Sequence, residues 1–92
     1  MKSIIQTEKK CYVCGCKSYV EEHHIFHGTS NRKKSEKHGL KVYLCYVHHR
    51  DSRLGVHFSP ELDRKLKEEA QRIFELSHTR KEFMKEFGRN YL

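Results

Sequence analysis

Two pairs of side chains at matched spacing constrain this chain more than any other feature: Cys11-Tyr12-Val13-Cys14 and, thirty-one residues later, Cys45-Tyr46-Val47-His48. Each pair sets two metal-ligand groups three positions apart, and Gly15 follows the first as a residue that lets a tight turn bring both thiolates to one ion. Together they predict a closed tetrahedral site made of Cys11, Cys14, Cys45 and His48, the usual ligand set of structural zinc. Cys16 is left over, and it is an alternative to Cys14. The competing use of four cysteines is two disulfides by one of three pairings. Met1 to Lys10 offers only Ile4 and Ile5 as an apolar run and does not read as a secretory signal, so a reducing cytoplasm is expected and metal is favoured over disulfide. A staple also answers a need, because 92 residues of which 36% are hydrophobic assemble only a thin core.

The charge balance is +7 and uneven: residues 1–59 carry a net +6 and residues 60–92 a net +1. The basic excess therefore belongs to the cysteine and histidine half, and it points to a polyanionic partner. No apolar run approaches the ~20 residues a bilayer requires, so no membrane role is expected. Tyr19 to Phe26 and Leu40 to Leu44 read as strands, and a helix is expected from Cys45 to His49 with an interruption at Gly55. The stretch 28–39, polar, basic and bounded by glycines, reads as a long exposed loop. From Ser59 the signals turn helical. Ser59 can cap, Pro60 suits the first turn, and Leu62, Leu66, Ala70, Ile73 and Phe74 recur at helical spacing. Thr79 to Glu82 has the form of a capping box opening a second helix with Phe83 and Phe87 one turn apart and Gly88 as its stop. The expected architecture is one α+β domain over 1–92, with a zinc-stapled part over 1–58 and a helical extension over 59–92 packed on it. A dimer interface is the other use of that apolar stripe.

Four of the eight histidines make two adjacent pairs, His23-His24 and His48-His49. Neighbouring strand side chains point to opposite faces, so His23 and His24 should do different jobs, one as a metal ligand and one as a proton acceptor. If His48 closes the zinc site, His49 is free to meet His23 in a second, open metal site. His27, His38 and His78 read as solvated. Glu21 and Glu22 read as a solvated edge, or as carboxylates that orient a ligand histidine.

These residues resemble the HNH nuclease family, whose ββα-metal fold carries an Asp-His or His-His dipeptide on its first strand and a metal-ligand histidine on its helix. The match runs through Cys11 and Cys14, His23-His24-Ile25, and Leu44-Cys45 with His48-His49. Thr29 to Lys33, Gly55 to Phe58 and Phe87 to Tyr91 extend it toward small phage-type members with a treble-clef zinc site. The resemblance implies His23 and His49 as ligands of a catalytic divalent cation, His24 as the general base, and products ending in 5′-phosphate and 3′-hydroxyl. His57 lies eight residues after His49, and it is either a third ligand or a phosphate-contacting or capping residue. The family's middle asparagine has no counterpart about fifteen residues after His24, where Gly39 stands. Asn31 is the one candidate for it.

The expected chemistry is phosphodiester hydrolysis in DNA with low intrinsic sequence specificity. His24 would activate water, and a cation held by imidazoles, Mg, Mn, Ni or Zn, would bind the phosphate. Arg32, Lys33, Lys34, Lys37 and Lys41 are the expected phosphate contacts. The resemblance also implies a phage or prophage origin, and a related third reading is a nuclease that depends on a recombinase filament or phage packaging proteins and is weak alone. The competing class is a non-catalytic zinc module that binds nucleic acid or protein and needs only the zinc site and the basic stretch.

Overall fold

In the computed structural model, which describes residues 1–92, an antiparallel hairpin of β1 (Val20–His24) and β2 (Lys41–Cys45) organises four helices: α1 (Thr29–His38), α2 (Tyr46–Arg50), α3 (Pro60–Phe74) and α4 (Arg80–Phe87). The register pairs Val20 with Cys45 and His24 with Lys41. Period-two alternation therefore puts Glu21 and His23 on one face of β1 and Glu22 and His24 on the other. The fold is α+β, as the sequence indicates, and no helix is long and apolar enough to cross a membrane.

The stretch 28–39 is a helix, not the exposed loop its composition suggests. Gly28 stands at the N-cap, and Gly39 closes the C-terminus with φ 70, where an added Cβ would lie 2.5 Å from the Lys2 carbonyl oxygen. The helix carries no apolar stripe, so periodicity could not reveal it. It is tied down by polar contacts instead. Buried Ser35 accepts from the Phe26 amide at 3.0 Å and donates to the Phe26 carbonyl at 2.8 Å, and Lys34 Nζ donates to the Glu86 carbonyl at 2.6 Å. Lys37 in the last turn complements the helix dipole.

The two C-terminal helices follow their sequence signals closely. Ser59 Oγ accepts from the Leu62 amide, and Pro60 fills the first turn of α3. The Thr79–Glu82 capping box forms at α4, which Gly88 ends in a left-handed conformation. Leu66, Ala70 and Phe74 of α3 and Phe83 and Phe87 of α4 are buried with Ile25, Phe26, Leu40 and Leu44 in one core. Phe26 centres the aromatic packing, 4.4 Å from Phe87 and 5.4 Å from Phe83 between ring centroids. Each such ring contributes about 1.5–3 kcal/mol by leaving water. The apolar stripe is thus core within the chain, and this packing fixes the end of β1 from which the histidines project.

His38 and His78 are part of this packing, contrary to their reading as solvated. His78 stacks on Phe74 at 4.1 Å, and His38 meets Phe74 edge-on at 5.3 Å. Their aromatic faces supply area that a core of this size lacks.

Candidate metal centres

The first centre is built by a knuckle and a helix start. The Cys11 amide donates to the Cys16 carbonyl and the Gly15 amide to the Cys11 carbonyl, both at 2.8 Å, and Gly15 has φ 79. This turn aims Cys11 and Cys14 at Cys45, the last residue of β2, and at His48 one turn into α2. The four donor atoms all lie within 4.8 Å of one another. Cys14 Sγ is 3.8 Å from Cys45 Sγ, and His48 Nδ1 is 3.4 Å from Cys45 Sγ and 3.6 Å from Cys11 Sγ. A tetrahedral ion with Zn–S bonds of about 2.3 Å requires S–S edges of roughly 3.8 Å and S–N edges of roughly 3.5 Å, so these spacings fit. Burial pushes the Cys11 thiol up, but backbone amide donors at Cys45, Cys14 and Val13 outweigh it and hold the group at about 6, which favours the thiolate a metal needs. Cys16 is exposed, with its thiol toward the Ser18 carbonyl, and it stands outside the group. Of the two alternatives, Cys14 is the one the geometry selects.

The second group is His23, His49 and His57, whose ligand nitrogens also lie within 4.8 Å of one another. The rings of His23 and His49 are 5.3 Å apart, those of His23 and His57 5.3 Å, and those of His49 and His57 4.9 Å. His23 is 3% exposed, and its Nε2 is buried without a hydrogen-bond partner. Such an orphan is costly and rare, and a metal ion is a partner that satisfies it. Burial, with the neighbouring His49, His57 and His27, pushes His23 down to about 3 and keeps it in the neutral form that ligates. His57 is lowered by burial and by His49. His49 Nδ1 donates to Glu21 Oε1 at 3.0 Å, which fixes the tautomer and leaves Nε2 with its lone pair. Arg50 and His49 in turn hold the Glu21 carboxylate down at about 2. Of the two roles left open for Glu21, orienting a histidine is the one observed.

His57 reaches this group without a continuous helix. The α2 helix ends at Arg50, and the chain then folds back so that the Val56 amide donates to the His48 carbonyl at 2.7 Å. Gly55 permits the return, since a Cβ there would lie 2.6 Å from the Asp51 carbonyl oxygen. The ligand reading of His57 therefore fits the geometry, which groups it with His23 and His49, better than a capping role, and a phosphate contact is the other role it could fill. The sequence also undervalued His27. Its ring lies 6.2 Å from His23 and 6.1 Å from His57, and its Nε2 is 3.1 Å from Asp63 Oδ1 of α3. Nothing in local sequence links residues 27 and 63; only the fold does.

His24 projects from the opposite face of β1 and takes no part in either group. Its Nε2 donates to Glu36 Oε1 at 2.8 Å, and Glu36 also binds Lys41 Nζ at 2.9 Å and the N-terminal amine at 2.7 Å. The amine, His24 and Lys41 hold the Glu36 carboxyl well below the usual range. Glu22, His24 and Glu36 are close enough to resemble a ligand set. The ammonium groups already neutralise the two carboxylates, so a cation has little to gain there.

The basic residues divide. His24 and the α1 residues Gly28, Thr29, Arg32, Lys33, Glu36 and Lys37 line an open cleft of about 840 Å³. Arg32, Lys33 and Lys37 are exposed there. Lys41 is not available as a phosphate contact, being 7% exposed between Glu22 and Glu36, whereas the partly buried Lys34 donates to the Glu86 carbonyl. A buried ammonium stays in the interior only with such partners. Asn31 makes no side-chain hydrogen bond, so the polar tie between the helix and the strand end is made by Ser35 instead.

The chain matches no family model, no curated protein and no solved structure.

Proposed function

We propose that this protein is a zinc-stapled nuclease of the HNH, ββα-metal type that hydrolyses DNA phosphodiester bonds with low intrinsic sequence specificity. The observation that carries the reading is the buried His23 Nε2, unpartnered and grouped with His49 and His57. His38 Nε2 is likewise buried without a partner but stands outside any ligand group, so it is the grouping of His23 with His49 and His57 that points to a metal. In this reading Cys11, Cys14, Cys45 and His48 hold zinc as a folding staple, and the three histidines hold the reactive divalent ion, Mg, Mn, Ni or Zn. Held there, such an ion would supply the positive charge that phosphodiester hydrolysis requires.

The remaining work falls to the chain's own side chains. Arg32, Lys33 and Lys37 bind the phosphates flanking the cut along the cleft. His24 in the cleft wall takes the proton of the attacking water on Nδ1, while Glu36 accepts its Nε2–H and holds that tautomer. The water oxygen bonds to phosphorus as the bond to the 3′-oxygen breaks, leaving a 5′-phosphate and a 3′-oxygen that takes a proton from solvent to become the 3′-hydroxyl. DNA in a recombinase filament or a phage packaging complex is the candidate physiological substrate.

A non-catalytic zinc module that binds nucleic acid or protein is the second reading. One observation favours it: His24 lies on the other face of β1 from the three histidines, embedded in an ionic network. Plasmid nicking across Mg, Mn, Ni and Zn separates the two. His24→Ala should keep folding and DNA binding and lose about 10²-fold in cleavage, whereas His23→Ala should lose cleavage in a way that excess metal partly restores. Absence of cleavage by wild type with every metal, with and without a recombinase filament, would leave the module reading standing.

A further inference from the structure

Two tyrosines at the end of the hairpin where β1 begins and β2 ends are exposed in a way the fold does not explain. Tyr19 is 88% exposed and Tyr46 is 60% exposed, and neither phenol makes a hydrogen bond. Tyr19 is also the one non-glycine residue with a positive φ, at 53. A bulky side chain in the left-handed region is strained, and such strain persists where surrounding structure or function requires it. Burial does not repay it here, because the ring stands in solvent.

The placement of the two rings is specific. The antiparallel register pairs Val20 with Cys45, so Tyr19 and Tyr46 leave the hairpin at the same end from its two strands. With Val20, Glu21 and Arg50 they line a cleft of about 330 Å³. Arg50 is held in its wall by two hydrogen bonds to Glu21, Nε to Oε1 at 2.7 Å and Nη2 to Oε2 at 3.1 Å, and its side chain stays 55% exposed. Glu21 Oε1 also accepts from His49. One carboxylate thus joins the aromatic cleft to the three-histidine group.

We propose that this cleft holds an unpaired nucleobase by stacking on Tyr19 and Tyr46, making single-stranded or locally unpaired DNA the preferred ligand. The chemistry on the page favours that occupant. Two aromatic faces with a fixed guanidinium form the sequence-tolerant platform used for single strands, and the chain's +7 charge suits a polyanion. Bases inside a duplex present only their edges, because their faces are already stacked. That the ligand is also the substrate of the histidine centre rests on the nuclease reading above; the binding claim does not.

The test is a binding measurement on zinc-loaded chain with no added divalent ion, so that cleavage plays no part. The probe is a 2-aminopurine-labelled oligonucleotide, used as a single strand and as its duplex. Wild type should quench the single-strand emission and bind that form more tightly. Tyr46→Ala and Tyr19→Gly should each weaken it on the order of 5- to 100-fold, the range of losing one stacking partner, with duplex affinity unchanged. Tyr46→Phe should behave as wild type. Tyr19→Gly relieves the backbone, so its unfolding midpoint should not drop, which separates lost stacking from lost folding. Unchanged single-strand affinity in both variants, or equal losses on single strand and duplex, would overturn the proposal. So would sedimentation showing that the variants convert a dimer to a monomer, since the cleft would then belong to a second copy. If binding behaves as stated and wild type cleaves nothing, the nuclease reading fails while the cleft stands.

Discussion

Replacing His23 by leucine should stabilise the metal-free second centre and abolish its metal response. In the folded chain the His23 ring is 3% exposed, and its Nε2 has no partner. An unsatisfied buried polar atom costs about 1–3 kcal/mol, and a leucine of similar size removes that cost while keeping the volume. With one equivalent of zinc and no other metal at pH 7.5, His23→Leu should therefore melt above wild type, by about 4–8 °C for each kcal/mol gained. The order should reverse in excess Mn or Ni: a ligand at a hundred times its Kd stabilises wild type by about 2.7 kcal/mol and the variant not at all. The pH dependence carries the same sign. The folded pKa of about 3 lies below the ~6.5 of the unfolded chain, so the unfolded state binds a proton that the folded state refuses. Wild-type stability is full above about 6.5 and falls as the pH drops toward 3, by about 1.4 kcal/mol per unit. His23→Leu lacks that slope, and its advantage should grow by about 2 kcal/mol between pH 6.5 and 5. Thermal unfolding at several pH values, with and without added metal, reads all three effects. If His23→Leu is less stable than wild type without metal, and wild type gains nothing from metal, His23 is an ordinary core residue and the reasoning fails.

Four further outcomes follow from the same geometry. Cys11→Ser should lose stoichiometric zinc by elemental analysis and much of its circular dichroism, whereas Cys16→Ser should keep both, since only Cys11 belongs to the four-ligand group. Gly55→Ala should weaken binding of the second metal while leaving zinc in place, because the new methyl group collides with the Asp51 carbonyl and displaces the segment carrying His57; equal metal titrations in both proteins would count against it. Changing Arg32, Lys33 and Lys37 together to Ala should lower the salt slope of DNA binding by up to ~0.9 per lost contact. Lys41→Ala should instead lower stability with the slope intact, as befits an ammonium buried between two carboxylates.

The cluster of Cys11, Cys14, Cys45 and His48 was legible because spacing alone encodes it: a turn and a helix start each deliver two groups, and neither needs distant contacts to form. The C-terminal helices were legible for a similar reason, as their caps and apolar stripe are local. Helix α1 was not, because its stability comes from Ser35 and Lys34 reaching Phe26 and Glu86, contacts that leave no periodic trace in the sequence. The same blindness misplaced Lys41. A lysine in a basic stretch reads as surface, and only the sheet register shows it sealed between Glu22 and Glu36. His23 and His49 could be paired from strand alternation, but His57 required the fold-back at Gly55 and His27 required Asp63 from α3. Strand alternation did put His24 on the opposite face from His23, and Glu36, its partner there, was hidden because 28–39 read as a loop.

The most direct measurement of the central claim, a closed thiolate site beside an open histidine site, is a cobalt titration of metal-free chain followed by absorbance. Two equivalents should bind in sequence. The first should bring thiolate-to-cobalt charge-transfer bands from Cys11, Cys14 and Cys45; the second should add ligand-field bands without further thiolate absorption. His23→Ala should lose the second step alone, and His24→Ala should keep both. A single equivalent in wild type, or a second step that survives His23→Ala, would contradict the account.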